Sequence, residues 1–220
     1  MITLHHLEHS RSQRIIWLLE TLNLDYQIKL YKRDPATYLA PESLKKIHPL
    51  GKSPVITDGE QVIAESGFII EYLVKNYGQK LPTLSSEEAE TANYWLHYGE
   101  GSLMPFLVMS LVMDKVRTAP MPFFVRPIAK AIVGNVMSSF LTPNIKNHLA
   151  YVDQYLADKQ WFAGNHLSAA DFLMIFPLEA AMARAKNTDQ LTHIKRYVKQ
   201  VHDLNEYKTA LEKGGPYNYA

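Results

Sequence analysis

Along the first eighty residues the apolar positions switch between two periods. Ile2, Leu4 and His6 alternate with Thr3, His5 and Leu7, which predicts a strand. Ile15, Leu18, Leu19 and Leu22 then recur at helical spacing, and Gln13, Arg14, Glu20 and Thr21 fill the other face. Asn23 offers a helix stop. Tyr26, Ile28 and Leu30 alternate again, so the segment reads as a βαβ unit with parallel strands and a right-handed crossover. A polar, proline-bearing stretch over 32–53 leaves room for a short helix near Pro41–Ile47. Val55-Ile56-Thr57 and Val62-Ile63-Ala64 flank a turn at Asp58-Gly59 and predict a hairpin. Ile69, Ile70, Leu73 and Val74 mark a helix that stops near Asn76–Gly78.

The remaining pattern is helical. Ser85-Ser86-Glu87-Glu88 supplies a capping box before a long segment holding Trp95, Leu96, Leu103 and Phe106. A second segment, about 124–157, carries Pro127 and Pro143 as interruptions. A third opens at Ser168-Ala169-Ala170-Asp171, where Ser168 can cap and Asp171 can answer from the first turn. A fourth covers roughly Thr188–Val201. Register and composition change over 79–85, which places a domain boundary there. The expected architecture is an α/β domain over 1–80 followed by an all-helical domain over 86–220.

Composition then narrows the chemistry. Net charge is +1 over 220 residues, which gives no reason to expect nucleic acid as a partner. No stretch of about eighteen apolar residues occurs, and MITLHHLEH lacks the order of a secretory signal, so a cytoplasmic protein is expected. The apolar stretch Met121–Phe140, with Arg126 and Lys130, suits contact with a membrane surface or a partner but is too mixed to span; membrane contact is not the expectation. Cysteine is absent, so any thiol chemistry must use a thiol carried by a ligand. No histidine pair has metalloprotease spacing, and no metal is expected.

Three short motifs face the expected ends of these elements. His9-Ser10-Arg11-Ser12 joins the first strand to the first helix, the end of an open α/β sheet where ligands bind. Ser10 or Ser12 can equally be a helix cap, and no Gly-x-Ser-x-Gly elbow supports a serine hydrolase. Ser53-Pro54 begins a strand. As a cis bond it would free the backbone of Ser53 for an extended peptide; as a trans bond it would be an ordinary strand start. Glu65-Ser66 opens the next helix, where free N–H groups attract a carboxylate, a hydroxyl adds to the cradle and an acid can hold an ammonium; capping alone is the plainer reading. Met104, Met109, Met113, Met121, Phe106, Phe123 and Phe124 suit an adaptable apolar pocket and equally a helical core.

Taken together, "HSRSQRIIWLLE" (9–20), "HPLGKSPVI" (48–56), "ESGFIIEYL" (65–73) and "FAGNHLSAADF" (162–172) resemble the cytosolic glutathione S-transferases over nearly the whole chain. The first is nearest a theta-like branch shared by bacteria and fungi, in which a serine stands where other classes use tyrosine. The resemblance implies a thioredoxin-like N-terminal domain, an all-α C-terminal domain and a homodimer with its site near the subunit interface. It implies glutathione as co-substrate and a small hydrophobic electrophile, with conjugation or peroxide reduction as the reaction and detoxification as the role. By position, Ser10 matches the thiolate-activating serine, with Ser12 as its competitor and Arg11 adding positive potential. Ser53 beside Pro54 would pair with the cysteinyl unit, Glu65 and Ser66 with the γ-glutamyl group, and Lys52 with the glycine carboxylate. Tyr98, Met104 and Phe106 are the candidates for the electrophile pocket. A histidine that theta members carry upstream of the proline is unmatched near Ala40. The rival reading is a module of the same fold that binds glutathione or partners without catalysis.

Overall fold

The computed structural model describes residues 1–184 and 189–219. Strand β1 (Ile2–Leu7), helix α1 (Gln13–Leu22) and strand β2 (Tyr26–Tyr31) form the expected βαβ unit, with β1 and β2 parallel from Ile2↔Tyr26 to Leu7↔Tyr31. Asn23 closes α1 in the left-handed conformation. After a short 3₁₀ turn (Glu42–Lys46), β3 (Val55–Asp58) and β4 (Gln61–Ala64) make the hairpin. Asp58 pairs with Gln61 across a two-residue loop, and Gly59 takes φ +58° at its first position, as a type II′ turn requires. The sheet order is β2-β1-β3-β4, with β3 antiparallel to β1. Helix α2 (Ser66–Tyr77) follows, and the chain leaves through 81–85. This is a thioredoxin-like α/β domain joined to a helical one.

The helical part comprises α3 (Ser86–Tyr98), α4 (Met104–Thr118), α5 (Arg126–Val136), α6 (Thr142–Tyr155), α7 (Ala169–Arg184), α8 (Thr192–Asp203) and α9 (Asn205–Gly214). The capping box at Ser85 and Glu88 is formed. At α7 Asp171 answers from the first turn as expected, but Ser168 does not cap with its hydroxyl oxygen. The buried Asp171 carboxylate accepts from the N–H groups of Phe162 (2.9 Å) and Ser168 (2.8 Å), and Ser168 donates its hydroxyl instead of accepting. Helix α8 begins at Thr192, later than expected, and Thr188 lies outside the described residues. Helix α9 was not anticipated.

Two π-turns explain why prolines do not break the long helices. Gly99–Leu103 joins α3 to α4 and Met137–Leu141 joins α5 to α6; each is followed at the second residue by a proline, Pro105 and Pro143. The wider turn, with Met104 N–H bonded back to Gly99 and Thr142 N–H to Met137, spares the clash a proline ring makes with the carbonyl four residues earlier. The expected interruption at Pro143 is therefore a bulge in one continuous helical run, and Pro127 sits harmlessly in the first turn of α5.

The polar face of α1 is not a solvent face. Gln13 and Arg14 are 2% and 1% exposed, because α7 and α9 pack there. Gln13 Nε2 donates to the Ala210 carbonyl at 2.7 Å. Arg14 reaches the Leu173 carbonyl at 2.8 Å and the Glu100 carboxylate. Pro177 lies inside α7, four residues after Leu173, and has no N–H to give that carbonyl. Arg14 thus supplies, from the other domain, the hydrogen bond that Pro177 withholds. On the same helix Trp17 packs on Phe172 at 4.4 Å and edge-on to Tyr207 at 5.6 Å.

Arg14→Met is expected to cost about 2–4 kcal/mol, because it leaves Leu173 O buried and unpaired and strips Glu100 of a cation. Pro177→Ala in that background should recover about 1 kcal/mol by restoring an N–H to Leu173. Urea unfolding of the two single variants and the double variant measures the coupling; strict additivity would contradict the pairing.

Candidate functional site

A cleft of about 490 Å³ opens where β1, β3 and the first turn of α2 face α4 and α7. That volume is in the range of small-molecule sites. Its two walls differ in chemistry. One is polar and built from loops: His9, Ser10 and Arg11 after β1, Lys52, Ser53 and Pro54 before β3, Glu65 and Ser66 at the start of α2. The other is apolar and built from one helix face: Met104, Leu107, Val108 and Leu111 of α4, spaced as successive turns require, with Phe176 and Ala180 of α7.

Each polar position has a local cause. The Ser53-Pro54 bond is cis. Ser53 Oγ donates to the His5 carbonyl at 2.9 Å and accepts the Leu7 N–H at 3.2 Å, so the side chain pins the segment to β1. The ladder of β3 begins only at Val55, which leaves the backbone of Ser53 outside it. Glu65 caps α2 with φ 70° and ψ 122°, a conformation rare outside glycine and frequent where a binding site over-determines the backbone. The Glu65 side chain is exposed, whereas Ser66 is buried at the helix N-terminus. Lys52 is exposed on the rim.

Ser10 and Ser12 separate by depth. Ser10 lines the cleft; Ser12, 0% exposed, lies behind it, with its Oγ 2.7 Å from Ser10 Oγ and 2.7 Å from Nδ1 of His6. His5 and His6 are both buried. His5 Nδ1 pairs with the Tyr31 hydroxyl at 2.9 Å, and His6 Nε2 with the Gly214 carbonyl at 3.0 Å.

Arg11 is not a free cation: its Nη1 lies 2.5 Å from Glu100 Oε2, and Glu100 also holds Arg14. The cluster keeps one net positive charge beside the loop. Glu100 sits inside the first π-turn, which carries it to both arginines. Of the charged side chains lining the cleft among the described residues, Arg11, Arg33, Lys52 and Arg184 are cationic and Glu65 alone is anionic, so the cleft suits an anion.

The apolar wall departs from expectation. Met104 is in it, but Tyr98 and Phe106 lie outside it. Tyr98 is buried among Trp95, Tyr94 and Tyr151, with its hydroxyl 2.5 Å from His148 Nδ1. Phe106 packs on Phe140 and His148. Both are off the face that Met104, Leu107 and Leu111 present, because the π-turn resets the helical phase after Tyr98 and Phe106 is two residues from Met104. Sequence reading missed Arg33, His48, Phe176, Arg184 and Tyr219. For α7 the signal was available: Phe176, Ala180 and Arg184 recur every fourth residue. His48, whose buried Nδ1 has no partner among the described residues, faces the cleft from the loop before β3.

No group of three or more histidine, aspartate or glutamate side chains gathers in metal-binding geometry among the described residues, and no helix among them is long and apolar enough to cross a membrane.

Residues 1–75 match the family model for the glutathione S-transferase N-terminal domain, and residues 139–205 the model for the C-terminal domain. The chain is 39% identical over 215 residues to glutathione S-transferase 3 of Schizosaccharomyces pombe, covering 97% of this chain and 88% of that protein. It is 36% identical to glutathione S-transferase 1 of Saccharomyces cerevisiae, with 97% and 95% covered. Among solved structures, a glutathione S-transferase from Actinobacillus pleuropneumoniae superposes with a TM-score of 0.77 at 35% identity, over 97% of this chain and 93% of that one. A sphingomonad glutathione S-transferase complexed with glutathione superposes at 0.73 and 20% identity over 97% and 98%, a likeness of fold. With both halves matched and full-length relatives above a third identical, the chain belongs to the glutathione S-transferase family.

Proposed function

We propose that the protein is a glutathione transferase in which residues 1–80 hold the tripeptide and residues 86–220 supply the wall for a small hydrophobic electrophile. The single observation that carries the reading is the two-faced cleft, with the Ser10 hydroxyl at the seam between a cationic loop wall and an apolar helical one. Glutathione carries two carboxylates, one ammonium and a thiol, and each has a matching group. Glu65 takes the ammonium, while Ser66 and the free N–H groups of α2 take the adjacent carboxylate. The backbone of Ser53 pairs with the cysteinyl unit, and Lys52, which lines the same cleft as Arg33 and His48, takes the glycine carboxylate. This lays the sulfur against Ser10.

The chemistry then concerns one proton. An ordinary thiol has a pKa near ~8.5 and is mostly protonated at neutral pH, whereas the thiolate is the nucleophile. Lowering that value by about two units needs roughly 2.7 kcal/mol in favour of the anion. One charge-assisted hydrogen bond contributes about 1.5–3 kcal/mol, and the N-terminus of α1 adds about 0.3–1 kcal/mol. The net positive charge of the Arg11–Glu100–Arg14 cluster acts in the same direction. The thiolate attacks an electrophilic carbon, or a peroxide oxygen, held against Met104, Leu107 and Leu111. The protein works in the cytoplasm as a homodimer, and sedimentation of the purified chain would report the dimer.

Ser10→Ala should lower kcat for conjugation of a reactive aryl halide about a hundredfold while changing the calorimetric Kd for glutathione less than about threefold. Glu65→Ala should weaken glutathione binding about tenfold or more. Leu111→Ala should raise KM for the halide, whereas Phe106→Ala should leave it unchanged; the opposite pattern would reassign the electrophile wall. Glutathione uptake without conjugation or peroxide reduction would favour the non-catalytic module, and no uptake at all would refute the proposed function.

A further inference from the structure

The hydrogen-bond chain behind Ser10 has a direction. It starts at Gly214, the last residue of α9, whose carbonyl can only accept. His6 Nε2, 3.0 Å away, therefore carries its proton. His6 is 2% exposed and burial pushes its pKa below the ordinary histidine value, aided by His9 and opposed by the Gly214 bond, so the resting imidazole is neutral. Nδ1 is then a bare lone pair, and the hydroxyl 2.7 Å from it, Ser12, must donate. With its only proton engaged, Ser12 Oγ can meet Ser10 Oγ at 2.7 Å only as acceptor. The competing carbonyl of Leu7 is at 3.5 Å, too distant to take that proton away. Ser10 consequently spends its own proton inward and also accepts the Ser12 N–H at 3.3 Å. Toward the cleft it offers a lone pair.

A lone pair fits a thiol S–H and repels a thiolate. For Ser10 to hold sulfur as an anion with every bond of the chain kept, the chain must reverse. We propose that His6 stores the proton of the bound thiol, received through Ser10 and Ser12, with the Gly214 carbonyl fixing the direction of the relay. The transfer balances as three moves. The sulfur's proton passes to Ser10 Oγ, the proton of Ser10 to Ser12 Oγ, and that of Ser12 to Nδ1 of His6. The products are a thiolate and an imidazolium. Ser10 then donates to the sulfur, as the proposed mechanism requires. The imidazolium keeps its Nε2–H on the C-terminal end of α9, where the helix dipole favours a cation. No oxidant or further reactant enters. His6 never touches the substrate; it is a positioning residue that acts through Ser12.

The geometry that enforces this spans the molecule. Gly214 can approach because it has no side chain: a Cβ there would lie 2.1 Å from Gln13 Oε1, the side chain that also ties α1 to Ala210. The relay therefore joins β1, the loop after it, the first residue before α1, and the end of α9.

This inference rests on the proposed glutathione chemistry, and two readouts on one sample separate them. With ¹⁵N-histidine-labelled protein and saturating glutathione near neutral pH, ultraviolet absorbance reports the thiolate and the Nδ1 resonance of His6 reports its protonation. The expected result is that Nδ1 moves from the unprotonated to the protonated position in proportion to thiolate formed. A full thiolate band with His6 still neutral would overturn the relay and leave the transferase reading intact. Absence of glutathione binding would overturn both. Ser12→Ala cuts the relay with a small, buried change. It should abolish the His6 response, shift the rising limb of the pH–rate profile up by about one unit, a tenfold effect, and lower kcat at neutral pH by about that factor. Ser12→Thr, which keeps the hydroxyl, should restore all three. A Ser12→Ala protein with an unmoved pH profile and full kcat would refute the proposal.

Discussion

Everything at the site hangs on the burial of α1. Eight of its ten residues are buried, from Gln13 to Leu22, so it has almost no solvent face. The sheet of its own domain lies on one side, α7 and α9 on the other. That sandwich fixes the loop before α1, and with it Ser10, Arg11 and Ser12. Arg14 shows how closely the two domains are matched. It closes the hydrogen-bond gap that Pro177 opens in α7 and shares Glu100 with Arg11, so one side chain links helix integrity to the charge beside the cleft.

The π-turns belong to the same logic. A regular helix through 99–103 would place Glu100 and the face of α4 at different angles. The extra residue carries Glu100 toward the arginines and aligns Met104, Leu107, Val108 and Leu111 along the cleft. A proline two residues beyond the turn is compatible with that wider geometry, not a flaw in the helix.

Much of the fold was readable from residue order. The alternation in β1, β2 and the hairpin, the helical spacing of α1 and α2, and the capping box at Ser85 are local signals, and local physics decides them. At the site, Ser10, Ser53, Pro54, Glu65 and Ser66 line one cleft as a set because each sits at the end of an element whose place the pattern predicts. What was hidden is tertiary. Polarity at Gln13 and Arg14 marks a solvent face and a domain interface in the same letters. The contact between His6 and Gly214 joins residues that no periodicity relates, and α9 was missed along with it. Tyr98 and Phe106 looked like pocket residues by composition; only the phase of the helix places them elsewhere. Arg184 and Phe176 share a visible four-residue spacing with Ala180, but an apolar stretch of that kind reads first as core.

The reach from β1 to the end of α9 has a consequence for how the protein comes into being on the ribosome. Strand β1 and the loop bearing Ser10 precede α9 in the chain, so they leave the ribosome before it. The acceptor that orients His6 is synthesised more than two hundred residues later. Until α9 has been made and has docked, the Gly214 carbonyl that meets His6 is not in place.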